Sequence, residues 1–381
     1  MTLHAFNLTP KYANLQAQHL DRHTHIVECG VTPYVWRDGK QLLNFCSNDY
    51  LGLAEHPALK QAAREYLQQH GFGAGAAHLI TGHHAIHEQL EQRLAAVSGY
   101  PKAMLFSTGY MANMGVIDTL MDSKDGTIYQ DRLNHASLLD GARLAGVKLK
   151  RYPHQDTARL GEWLAEEHAL QKLVVTDQIF SMDGTEAPLT ELLAIANRHN
   201  AALMIDDAHG FGLRSQPLPQ VDIYMATLGK AMGSFGAFVA GSELLIDYLK
   251  SRARTFIFTT ATPPVVAAAT LAALDVVQAE PWRQHTLQTH IQHLRNALQQ
   301  QGWQLTNSQS AIQPIIIGKA EDALVMSQAL LQQGLLVSAI RPPTVPPNSS
   351  RLRITLSAAH TTEHVNRLIE ALASIRGQLN P

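Results

Sequence analysis

Five consecutive runs decide the fold: LVVTDQIFS (173–181), PLTELLAIANRHN (188–200), ALMIDDAHG (202–210), VDIYMATLGK (221–230) and GAFVAGS (236–242). Short apolar, β-branched runs alternate with a helix-like segment, and runs such as Leu203 to Ile205 are closed by polar or glycine-rich turns. Strands that are apolar without interruption have both faces buried, the condition of a mostly parallel sheet covered by helices. An α/β fold with a mostly parallel central sheet and flanking helices is therefore expected. The polar residues gather at the C-terminal strand ends, where open α/β sheets bind ligands, so Ser181, Asp206, His209 and Lys230 are expected to converge although about 50 positions separate the first from the last.

Working outward, helix-like stretches cover 56–70, 84–98, 111–121 and 136–146. The segment Ser107, Thr108, Gly109, Tyr110 leads from the apolar run MLF into MANMGVIDTLM. The backbone N–H groups at the start of such a helix suit an anion, phosphate above all. Beyond about residue 280 the pattern changes to a helix (284–300), a strand around Ile315, a helix (323–333), further short strands and a closing helix. This divides the chain into an N-terminal segment (1–45), a large α/β domain (46–280) and a small C-terminal α+β domain (281–381). Pro342, Pro343, Pro346 and Pro347 make one rigid loop.

Composition narrows the function. Of 381 residues, 45% are apolar and 16% charged, with a formal charge of −2. That excludes a largely disordered chain and gives no electrostatic footprint for nucleic acid, so an anionic ligand has to be held locally. The N-terminus lacks the pattern of a secretory signal. The stretch 263–279 is alanine-rich, opens on two prolines and carries Asp275, so it reads as a packed helix rather than a membrane span. Cys29 and Cys46 fit neither a disulfide framework nor a metal-type pair, and a reducing cytoplasm suits them. In GHHAIHE, His83 and His87 stand at i, i+4 and would meet a metal on a helix, but no third ligand is specified and Glu88 does not lie between them. The stretch reads as a polar helix start, and no metal is expected. The GFGAG run follows no buried strand, which speaks against dinucleotide binding.

The strongest constellation is DDAHG (206–210) followed by TLGKAMG (227–233). An acid and an imidazole three positions apart at a strand end can meet one heteroaromatic ring, and a lysine after the next strand can approach its edge. Pyridoxal 5'-phosphate requires a lysine for its aldehyde, a carboxylate for its ring nitrogen, a donor for its phenolic oxygen and an anion site for its phosphate. Asp207 is expected to point away from the ring by strand alternation.

The runs NFCSNDYLGL (44–53), FSTGYMANMG (106–115), DRLNHASLLDG (131–141), TDQIFSMDGTEAPL (176–189), DDAHG, TLGKAMG and RLRITLSAAH (351–360) resemble, in order and over roughly residues 20 to 375, the α-oxoamine synthases. These are pyridoxal-phosphate enzymes of the fold-type I aminotransferase superfamily. The run AIRPPTVP (339–346) is similar to the branch that joins L-alanine to a pimeloyl thioester, carried on coenzyme A or on a carrier protein, in biotin synthesis.

The resemblance implies that Lys230 binds the cofactor aldehyde and later moves the substrate proton. It implies further that Asp206 pairs with the ring nitrogen and that His135 stacks on the ring. His209 and Ser181 would lie near the phenolic oxygen, and Gly109, Tyr110 and Thr227 would hold the phosphate. Arg353, with Asn48, would take the amino-acid carboxylate, and Arg22 and Thr344 would touch the acyl substrate. Family enzymes share sites across a homodimer, and Thr260 resembles the residue lent to the partner's phosphate. Three departures from the family pattern stand out: Ala77 and His78 stand where a hydroxyl residue and often an arginine are usual, Phe211 where threonine is common, and Cys46 where serine is common. Two other functions fit the same motifs: an α-oxoamine synthase that uses glycine or serine with another acyl thioester, and a non-catalytic cofactor-binding module.

Overall fold

The computed structural model describes residues 6–17, 20–121, 125–216 and 218–376. After a first helix (Leu8–Ala17) come strands β1 (Val27–Cys29), β2 (Tyr34–Arg37) and β3 (Lys40–Asn44). The β2–β3 hairpin turns on Asp38 and Gly39, both at positive φ (54° and 68°), the backbone that a two-residue turn demands and that Asp-Gly adopts readily.

The central sheet is built from β4 (Lys102–Phe106), β5 (Gly126–Asp131), β6 (Lys148–Tyr152), β7 (Gln171–Asp177), β8 (Ala202–Asp206), β9 (Ile223–Thr227) and β10 (Ala237–Gly241). They lie in the order β4-β10-β9-β8-β7-β5-β6, and only β10 runs against its neighbours. The expected mostly parallel sheet is what forms. Alternation along β8 shows why: Leu203 and Ile205 enter one apolar cluster with Phe238, while Met204 enters another with Val175 and Val239. Helices Ala85–Ser98, Leu189–Arg198 and Pro264–Ala279 supply the first cluster, and helices Gly109–Leu120, Ala136–Ala145 and Glu243–Arg252 the second. Covered on both faces, the sheet leaves its strand ends as the place for polar chemistry.

A second sheet is antiparallel, with β11 (Ile312–Gly318), β13 (Ser338–Ile340) and β14 (Ser350–Thr355) in the order β11-β14-β13. The two-residue β12 (Leu335–Leu336) pairs in parallel with β3, Leu335 opposite Leu43, so residues from both ends of the chain share one small sheet. Helix Gly109–Leu120 begins two residues before the expected start, because Thr108 caps it by accepting Met111 N–H at 3.1 Å. Among the described residues no helix is long and apolar enough to cross a membrane.

Candidate cofactor and substrate site

The parallel strands bring their C-terminal ends to one edge, and the turns beyond them carry the chemistry. Gly109 follows β4, His135 follows β5, Asp177 closes β7, Asp206 closes β8 opposite it, and Thr227 and Lys230 follow from β9. From the antiparallel sheet, Arg353 on β14 reaches the same place. They line one cavity of about 370 Å³ together with Asn48, Tyr110, Ser181 and His209. Ten of the thirteen residues singled out from sequence meet there. Within one chain, Arg22, Thr260 and Thr344 do not: each is exposed, and Thr260 bridges to Ala77 instead.

Each end of the cavity has a distinct character. At one end the amides of Gly109 and Tyr110 precede the first intrahelical bond, Ala112 N–H to Thr108 O, which leaves them directed at an incoming anion. A Cβ on Gly109 would lie 2.7 Å from Thr227 Cγ2, so glycine keeps this cradle open. Thr227 Oγ1 accepts from Lys230 Nζ at 3.3 Å, which ties the lysine to the same end.

At the other end lies the buried Asp206 carboxylate, whose Oδ1 accepts Ala208 N–H at 2.9 Å and whose Oδ2 accepts from Asn113 Nδ2 at 2.8 Å. Its neighbour Asp207 points to the opposite side, where it takes two bonds from Arg214 and one from Tyr224. His135 caps helix Ala136–Ala145, and its backbone N–H is held by Asp177 Oδ2 at 3.0 Å.

Burial sets the protonation. It pushes the Lys230 amine below the usual lysine range, opposed chiefly by the Asp206 charge, and it lowers His135 and holds His209 well below the ordinary histidine value. Both imidazoles are therefore neutral near pH 7. His209 Nδ1 lies 2.6 Å from the buried Tyr50 hydroxyl, which in turn donates to Asn48 Oδ1 at 3.1 Å. Arg353 donates from Nε to Ser181 O at 2.7 Å and from Nη2 to Asn48 Oδ1 at 3.4 Å.

This donor set fits pyridoxal phosphate end by end: an anion cradle, an amine beside it, a buried carboxylate for the ring nitrogen and a planar cation from β14. Sequence reading passed over Asn113, Ser137 and Asp177, which also line the cavity. Asp177 ends the quoted run LVVTD in register with Asp206 and was the most legible of the three.

The histidine-rich stretch is the helix start that was expected, with His84 at the N-cap of helix Ala85–Ser98 and His87 in its capping box, but His87 is fully buried, and His78, from the turn His78–Gly82, joins His83 and His87 as a potential third ligand. His87 already uses both ring nitrogens, accepting His84 N–H at 3.0 Å and donating to Thr262 O at 2.8 Å. His78 and His83, with Nδ1 atoms 2.8 Å apart, are left as a pair. Of the departures from the family pattern, Phe211 packs against Phe238 on the far side of the sheet, and Cys46 Sγ accepts from Ser338 Oγ.

The family model of class I and II aminotransferases matches residues 40–372. An 8-amino-7-oxononanoate synthase of Marinobacter nauticus is 51% identical over 359 residues, 91% of either chain. One from Methylococcus capsulatus is 49% identical over 379 residues, 97% of this chain and 98% of that one. Among solved structures, a Sphingomonas wittichii serine palmitoyltransferase covers 98% of both chains with a TM-score of 0.91 at 28% identity. The backbone likeness thus reaches across the wider fold family, whereas the near-half identity over almost the whole length picks out one branch of it: this chain belongs to the 8-amino-7-oxononanoate synthases, pyridoxal-phosphate enzymes of the class I and II aminotransferase family.

Proposed function

We propose that the protein condenses L-alanine with a pimeloyl thioester, releasing carbon dioxide and the free thiol and forming 8-amino-7-oxononanoate. The observation that carries this reading is the meeting of Lys230, Asp206, His135 and Arg353 around one cavity of about 370 Å³. When bound there, pyridoxal phosphate supplies an aldehyde for amines and a protonated ring that withdraws electrons from the amino-acid Cα.

The chain's own residues do the rest. Gly109 and Tyr110 amides with the Thr227 hydroxyl bind the phosphate, and Asp206 keeps a proton on the ring nitrogen. His135 would stack on the ring and offer a donor to the ketone oxygen, and His209 and Ser181 would hold the phenolic oxygen. Arg353, helped by Asn48, orients the alanine carboxylate. Lys230 moves the Cα proton, a task suited to an amine whose proton affinity is lowered by burial. Arg22 and Thr344 meet the acyl substrate at the mouth.

The working unit is a homodimer in which Thr260 reaches the partner's phosphate. Support comes from exposed Leu79, Ile80 and Phe258, at 52%, 76% and 71%, which flank the Ala77–Thr260 bridge as an apolar surface. The free thiols Cys29 and Cys46 suit a reducing cytoplasm. The fold likeness to a serine palmitoyltransferase favours one rival, condensation of serine with a longer acyl thioester.

The test is a mass assay of products from alanine, glycine and serine, each paired with pimeloyl-CoA, a pimeloyl-carrier protein and palmitoyl-CoA. A condensation product from alanine and a pimeloyl donor, lost in Lys230→Ala, is expected. Turnover only with serine and the long acyl donor overturns the reading in favour of the rival.

A further inference from the structure

Asn113 sits one turn beyond Gly109 on helix Gly109–Leu120 and is fully buried. Its Nδ2 lies 2.8 Å from Asp206 Oδ2 and 2.8 Å from Ser137 Oγ, which commits both amide hydrogens. Ser137 Oγ accepts there and directs its own hydrogen to His135 Nδ1, 2.8 Å away. The same Nδ1 also faces the Ser137 backbone N–H at 3.3 Å. An imidazole nitrogen that accepts from two donors carries no hydrogen, so the neutral ring holds its proton on Nε2.

The amide cannot be turned over. The flip would aim Oδ1 at the Asp206 carboxylate and set two acceptors against each other. In the orientation it has, Oδ1 is buried without a partner among the described residues. A leucine of similar volume would leave no such orphan, so the asparagine is not explained by packing.

We propose that Asn113 is a positioning residue that, through Ser137, fixes His135 as the Nε2–H tautomer while it holds the Asp206 carboxylate in place. One amide thereby sets the donor on the face of the ring site and the acceptor at its edge. Its position one turn from the phosphate cradle makes the register of a single helix common to both. The consequence for turnover rests on the function proposed above; the hydrogen-bond geometry does not.

The experiment is nitrogen NMR of histidine-labelled protein, without substrate, for wild type, Ser137→Ala and Asn113→Leu, followed by steady-state kinetics and thermal melting. Wild type is expected to show His135 as Nε2–H alone, and both variants a mixture of tautomers. In Asn113→Leu, kcat is expected to fall about tenfold to a hundredfold with the KM for L-alanine within about twofold. Melting at or above the wild-type temperature separates this from a structural role. His135 kept as pure Nε2–H in both variants overturns the proposal, as does a loss confined to KM. If Asn113→Leu does not fold, Ser137→Ala decides alone by the same tautomer criterion. Should wild type turn over none of the substrates, the functional reading fails while the tautomer measurement still decides for or against the role of Asn113.

Discussion

Two arginines leave the same face of β14, and their partners tell them apart. Arg351 meets the Asp183 carboxylate at 2.6 Å, so its charge is matched within the fold. Arg353 bonds a carbonyl and an amide oxygen, also acts on the Tyr50 hydroxyl, and pairs with no carboxylate among the described residues. Buried at 8% exposure, that cation lacks a carboxylate partner among the described residues, which supports the substrate-carboxylate role proposed for it. Replacing it with lysine removes both the Nε anchor on Ser181 O and the flat fork that grips a carboxylate. Arg353→Lys is expected to raise the KM for L-alanine about tenfold or more, with a smaller effect on kcat, in initial rates taken across alanine concentrations. Asp206→Asn acts on the chemistry instead. A neutral amide does not favour a protonated ring nitrogen, so turnover at saturating alanine is expected to fall at least about a hundredfold and the bound cofactor's visible spectrum to shift. Retention of wild-type turnover in Asp206→Asn removes that residue from the mechanism.

Helix Gly109–Leu120 carries two glycines with different duties. A Cβ at Gly109 meets Thr227 Cγ2 at 2.7 Å inside the cradle, whereas one at Gly115 meets Thr255 Oγ1 at 2.1 Å, away from the cradle. Thr255 Oγ1 donates to Met111 O, so an alanine at 115 also disturbs that bond. Gly109→Ala is expected to weaken pyridoxal phosphate binding about tenfold with little loss of stability. Gly115→Ala is expected to destabilise by about 1–3 kcal/mol and to leave cofactor affinity unchanged. Denaturant unfolding and cofactor titration, run on both variants, check the pair; the same pattern in both would mean the helix has no separate cradle end. The helix itself was legible in MANMGVIDTLM, and its anion-binding end in the glycine that opens it. Asn113 was not: a single polar residue in an apolar helix carries no sign of which distant group it faces, and Asp206 lies 93 positions away. The strands before Asp206 and Lys230 announced themselves by continuous apolar runs, because burial on both faces leaves a mark on every residue. Thr260, Arg22 and Thr344 leave no comparable mark, since their proposed partners are a second chain or a bound substrate.

Across the whole molecule the 20 histidines are uninformative as a count, but several of the described ones are fixed by their hydrogen bonds. His360 accepts Ser357 N–H at Nδ1 (3.0 Å) and donates from Nε2 to Asn44 O (3.1 Å), which ties β3 to the turn after β14. His87 uses its two nitrogens in the same way. Each bond pair requires a neutral ring. Burial brings His360 and His78 down to about 3 and His87 down to about 4. An unfolded chain protonates these rings near pH 6.5, so below that pH it binds more protons than the fold does. Their contribution is therefore present above pH 6.5 and is lost as the pH falls toward 3 to 4. Asp49 works in the opposite sense. Burial raises it to about 6, so its carboxyl binds a proton in the fold before it does in the unfolded chain and offsets part of the loss below pH 6. The lowered rings, His135, His209, His290 and His364 among them, outnumber the raised carboxyls, which include Asp177 and Asp207, so the cofactor-free protein is expected to lose stability between pH 7 and 5.5. Urea midpoints at pH 7, 6.5 and 5.5 measure this directly; a midpoint that holds or rises on acidification would show that the buried imidazoles do not govern the pH response of the fold.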